Sequence, residues 1–135
     1  MLKLIIGVKG TGKTKQLINL VNASLKSSQG SVVCIEKGDK LKFDVNYQCR
    51  LIDTEYFGVA DAASLYGFVA GILASNHDVT DLYIDSALKI CGDDIAAFDQ
   101  FLGMLDMLTS RSNVNCVLTC SLAVENASET VQKYL

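Results

Sequence analysis

Residues 3–14 read Lys3-Leu4-Ile5-Ile6-Gly7-Val8-Lys9-Gly10-Thr11-Gly12-Lys13-Thr14. A short apolar run, Lys3–Ile6, leads into a loop with three glycines, and the loop ends on Lys-Thr. From Lys13 to about Ser27 the residues Leu17, Leu20, Val21 and Leu25 recur on one helical stripe. The stretch therefore predicts a buried strand, a tight loop over Gly7–Gly12 and a helix opening at Lys13.

Gly7 to Thr14 is a full match to G-x-x-x-x-G-K-[ST], a pattern expected by chance in roughly one chain of this length in two to three hundred. Each residue type has a physical role. Glycine at Gly7, Gly10 and Gly12 permits positive φ and close approach of the backbone to a ligand. The intervening N–H groups, including those of Val8, Lys9 and Thr11, can then converge as an anion-binding nest. The helix adds its unpaired amides and positive dipole end. Lys13 would reach the β- and γ-phosphates as a point charge, and the Thr14 hydroxyl would ligate Mg²⁺.

Working outward, Ser31–Glu36 (SVVCIE) reads as a strand buried on both faces. Gly30 is a candidate left-handed cap of the preceding helix. Lys37–Tyr47 is polar and reads as a loop, and Cys49–Ile52 as a short strand. Asp61 can cap a helix to about Ala74 with Leu65, Phe68, Val69, Ile72 and Leu73 inward. Gly67 and Gly71 on that helix predict close packing onto the sheet, with a helix–helix dimer contact as the other reading. Asp81–Asp85 is a further strand. Asp93 or Asp94 caps a helix to about Leu108, Asn115–Thr119 is a last strand, and Glu125–Tyr134 a terminal helix. This alternation predicts one α/β domain over residues 1–135, a three-layer sandwich with a mainly parallel sheet of about five strands.

Composition narrows the function. The 135 residues carry 12 Lys+Arg against 15 Asp+Glu, a net charge of −3, without the basic stripe of a nucleic-acid binder. No apolar run approaches the ~20 residues that cross a bilayer, and mean hydropathy is +0.28. No membrane insertion and a cytoplasmic location are expected. Asp78–Asp106 holds seven Asp and one Lys, read as a solvated acidic face, with a Mg²⁺-lined edge or a surface for a basic partner as alternatives. Five cysteines without CxxC spacing and a single histidine, His77, argue against zinc and against a disulfide framework.

With these motifs in place, the chain resembles the P-loop nucleoside triphosphatase superfamily. Leu82-Tyr83-Ile84-Asp85 fits that family's second motif, which implies that Asp85 holds Mg²⁺ through a water, opposite Thr14. A later strand ending in Leu118-Thr119-Cys120-Ser121 looks like the RecA-like branch. That likeness implies that the last strand lies between the other two and that Thr119 or Ser121 senses the γ-phosphate. The chain also resembles short bacterial P-loop proteins labelled twitching-motility ATPases. The acidic and histidine-containing boxes of the pilus motors have no counterpart here.

Hydrolysis needs a water-activating group and positive charge at the transition state. The residue after Asp85 is Ser86, so Glu36, closing its strand, is the candidate water activator, with Asp39 and Asp53 in reserve. Arg50 and Arg111 are the only candidate arginine fingers, and Lys9 could add charge from within the loop. No N-K-x-D or D-x-x-G guanine signature occurs, which makes ATP the default nucleotide. The expectation is a Mg²⁺-dependent ATP-binding protein with weak or partner-stimulated hydrolysis. A homo-oligomer or an activating protein partner is compatible with it. A non-hydrolysing ATP-binding module and a phosphotransferase resembling thymidine kinase are the alternatives.

Overall fold

A computed structural model describes all residues, Met1–Leu135. The elements run β1 (Leu2–Gly7), α1 (Lys13–Ser27), β2 (Ser31–Glu36), β3 (Arg50–Asp53), α2 (Ala62–Ser75), β4 (Val79–Ile84), α3 (Ala87–Ile90), α4 (Ile95–Arg111), β5 (Asn115–Ser121) and α5 (Glu129–Gln132). All five strands join one parallel sheet in the order β1-β5-β4-β2-β3. β5 thus lies between β1 and β4, the position the resemblance implied for the last strand. At the outer side of β1, the Leu4 N–H donates to the Tyr134 carbonyl at 2.7 Å.

The period-2 alternation of each strand sorts its side chains between two cores. Val33 and Ile35 of β2, and Leu82 and Ile84 of β4, face the larger core with Leu65 and Val69 of α2 and Phe98, Leu102 and Leu105 of α4. Val32, Cys34 and Tyr83 face the other way, onto Leu17 and Val21 of α1. Leu41, Val45 and Cys49 join this second core, which pins the Lys37–Tyr47 loop to α1. Asn22 on α1 reinforces the attachment: its amide donates to the Asp44 carbonyl at 3.2 Å and accepts from Asn46 N–H at 3.1 Å. The result is three layers, with α1 on one face of the sheet and α2 and α4 on the other.

Capping follows the sequence. Asp61 and Ser64 form a reciprocal capping box on α2, and Asp94 accepts from Ala97 N–H to start α4. Asp94 rather than Asp93 is the cap; Asp93 has φ +58°.

Three expectations are corrected, and one element was not foreseen. Gly30 does not adopt a left-handed conformation. Its lack of a side chain serves close approach, because a Cβ there would lie 2.1 Å from the Asp78 carbonyl oxygen. The terminal helix is broken into a 3-10 turn, Val124–Asn126, and the single turn α5. The break lets Ser128 reach Asp99 of α4 at 2.8 Å while capping Val131 N–H. The one-turn helix α3 lies where the sequence offered no periodicity, since four residues are too few to show it. Finally, Gly67 and Gly71 do not pack on the sheet; both are exposed, and a Cβ at either would meet no atom within 4 Å.

That last geometry has a measurable result. Gly67→Ala and Gly71→Ala should each stabilise the protein by about 0.5–1 kcal/mol, because alanine reduces backbone entropy loss in a helix without a clash. The urea midpoint should rise for both; a fall would place another surface against this face.

Candidate functional site

Parallel strands bring the loops after β1, β2, β4 and β5 to one edge of the sheet, where ligands of open α/β folds bind. There the chain forms an open cleft of about 790 Å³. Of the sequence-predicted residues, Lys9, Gly10, Gly12, Lys13, Thr14, Glu36, Asp85 and Thr119 line it. Gly7, which ends β1, and Val8 and Thr11 in the loop after it are not among the lining residues.

The loop's form follows from its sequence. Gly10 and Gly12 have φ of +86° and +84°, values that L side chains rarely adopt. Gly12 is also the N-cap of α1 and supplies no side-chain cap. The Val8 carbonyl accepts from Thr11 Oγ1 at 2.8 Å and from Lys13 Nζ at 2.9 Å, which folds the lysine back over the loop. The N–H groups from Val8 to Lys15, eight in succession, have no acceptor of good geometry within the chain; the first satisfied amide is Gln16, on Gly12 O at 3.0 Å.

Across the cleft, Asp85 is the first residue after β4. Its carboxylate is buried and takes a 2.6 Å hydrogen bond from Thr119 Oγ1, which in turn accepts from Ser86 N–H at 2.8 Å. Ser86 stands in the left-handed region at φ +56°. The Thr14 hydroxyl lies 3.2 Å from both Asp85 oxygens, long for an O–H···O bond. Thr119 therefore fixes Asp85, and Thr14 faces it with slack. Ser121 also lines the cleft.

Glu36 ends β2 and is 3% exposed. Its two oxygens accept from Lys40 N–H at 3.0 Å and Leu41 N–H at 3.3 Å. Burial raises its carboxyl above the usual range. The Leu41 and Lys40 amides pull it down, and the neighbouring Asp85 and Asp53 carboxylates push it up again. Asp53 lies outside the cleft and accepts from Gly38 N–H and Glu55 N–H. Asp39 lines the cleft and pairs with Lys42 at 3.6 Å, the only ion pair in the molecule.

Sequence reasoning missed most of the cationic lining. Lys15, Lys37, Lys40 and Lys89 join Lys9 and Lys13 in the cleft, half of the chain's 12 Lys and Arg, and none is ion-paired. Lys89 was invisible because it sits on α3; Lys37 and Lys40 are signalled only by their place after Glu36. Neither Arg50 nor Arg111 lines the cleft; Arg50 begins β3, at the opposite end of the sheet, and Arg111 ends α4.

His77 is exposed, and all five cysteines are buried and free. Burial pushes the thiols of Cys91 and Cys120 up to about 12 and that of Cys49 to about 11. No group of three or more His, Cys, Asp or Glu side chains is arranged to hold a metal ion, and no helix is long and apolar enough to cross a membrane. No protein-family model matches this chain, and no curated protein is significantly similar to it.

The raised carboxyl of Glu36 has a definite sign. Its favourable contribution is complete below the ordinary glutamate value and is lost as pH rises through the higher folded value. The ionised side chain thus costs stability at neutral pH. Glu36→Gln should raise the melting temperature at pH 7, with the gap to wild type narrowing on acidification. A lower melting temperature at pH 7 would show that the two amide contacts outweigh the burial of charge.

Proposed function

We propose that this protein binds a Mg²⁺-complexed nucleoside triphosphate, with ATP as the default, in the cleft between the Gly7–Thr14 loop and Asp85. The observation that carries the reading is the run of unsatisfied N–H groups from Val8 to Lys15 beside Lys13. Successive amides at a helix N-terminus favour a multiply charged anion. Six lysines outside any ion pair line the cleft beside five carboxylates, Glu36, Asp39, Glu55, Asp85 and Asp93. This slight cationic excess, in a chain of net charge −3, supports the same ligand. β5 lies between β1 and β4, a strand order that supports a RecA-like P-loop core.

The donor set fits magnesium. Thr14 and Asp85 offer hard oxygens on facing sides of a 3.2 Å gap. Magnesium takes one or two protein oxygens, keeps waters and shares substrate phosphates, and needs no all-protein cage. Thr14 would hold the ion directly, and Asp85, steadied by Thr119, through water. When bound, the ion neutralises charge on the phosphate oxygens.

Turnover is expected to be slow. No arginine lines the cleft, and Glu36 already accepts two amides. A carboxylate has about four acceptor sites, so Glu36 retains capacity to orient a water. Its engagement with Lys40 and Leu41 also favours a second reading, a non-hydrolysing switch in which nucleotide resets the Lys37–Tyr47 loop.

Isothermal titration with Mg·ATP should give saturable binding, and Lys13→Ala should weaken it at least about tenfold, or ~1.4 kcal/mol. Phosphate release should run on the order of 10⁻³ s⁻¹ without a partner and fall in Glu36→Gln while binding persists. Unchanged release in that variant removes Glu36 as water activator; no release above the Lys13→Ala background favours the switch.

A further inference from the structure

A site without an arginine still has to distinguish a triphosphate from a diphosphate, and the cleft offers lysines instead. Lys13 and Lys15 stand on α1 and Lys89 on α3, whereas Lys9, Lys37 and Lys40 are carried by loops. Among these loop lysines Lys40 differs. Its own main-chain N–H is held at 3.0 Å by Glu36 Oε1, and the next N–H, of Leu41, at 3.3 Å by Glu36 Oε2. Leu41 is 4% exposed and packs in the core under α1. The anchor is tied directly to the far wall of the cleft, because Asp85 N–H donates to the carbonyl of Ile35, the residue before Glu36, at 2.8 Å.

The charges on this loop are also sorted. Lys42 is paired with Asp39, whereas Lys40, exposed and lining the cleft, has no carboxylate within ion-pairing distance. A cation whose backbone is already fixed loses less freedom on gripping an anion than one on a mobile tether.

We propose that Lys40 is a specificity-determining residue that reads the terminal phosphate, and that Glu36 is the positioning residue that holds it there. The inference rests on the nucleotide reading above and adds to it a cation supplied by the same chain, where related sites await an arginine from a partner. Lys40 would contact the γ-phosphate, which ATP has and ADP lacks; Lys13 and the loop amides would serve both nucleotides. This also gives a reason for a buried carboxylate whose ionisation is unfavourable.

Isothermal titration with Mg·ATP and Mg·ADP tests the idea. Wild type should prefer Mg·ATP. Lys40→Met should weaken Mg·ATP about tenfold and change Mg·ADP less than twofold. Lys40→Arg should restore the preference, and Lys42→Met, outside the cleft, should leave both affinities unchanged. Glu36→Ala should lower the ATP-to-ADP ratio in the same direction, an effect that a purely structural role would not produce. If Lys40→Met leaves the ratio unaltered while Lys13→Ala removes binding of both nucleotides, the Lys40 proposal is overturned and the nucleotide site stands. If wild type binds neither, both fall.

Discussion

Between the last residue of β1 and the second turn of α1, eight consecutive main-chain N–H groups have no acceptor within the protein. Among the side chains, no buried nitrogen or oxygen lacks a hydrogen-bond partner. Most residues of the amide stretch are exposed, so the amides stay available to an outside acceptor. A run of them at a helix start favours an anion, and the rest of the cleft is arranged around this stretch. The sheet aims the loop at its carboxyl edge, α1 supplies the dipole, and Asp85 and Thr119 face it from the neighbouring strands. On our reading, the acceptor is a triphosphate.

The opposing wall shows a division between firm and loose contacts. Thr119 holds Asp85 at 2.6 Å, and Ser86, in a left-handed conformation, completes the network. Thr14 meets the same carboxylate only at 3.2 Å. A hydroxyl so placed can exchange a weak contact for a stronger one without moving the backbone. Glu36 presents the opposite case, with a buried charge committed to the loop that borders the cleft.

Much of this was legible in the chain. Strand alternation and helical stripes depend on periods of 2 and 3.6, and both cores follow them, as Val32 and Val33 show by facing opposite layers. The Gly7–Thr14 pattern encodes local backbone needs, so the strand, the turn and the start of the helix at Lys13 could all be read directly. Features that depend on distant partners could not. The close approach of Gly30 to Asp78 and the interruption at Ser128 by Asp99 are long-range events, as is the exposure of Gly67 and Gly71. The lysines of the cleft come from three separate segments, and only the folded sheet brings them together.

Amide chemical shifts measure the central claim most directly. In a ¹H–¹⁵N spectrum titrated with Mg²⁺ and a non-hydrolysable ATP analogue, the largest downfield proton shifts should fall on residues 10–15, as free N–H groups acquire phosphate acceptors, with little change in α2 and α4. Saturating nucleotide that leaves those amides unmoved, or moves a different set of residues, would contradict the account.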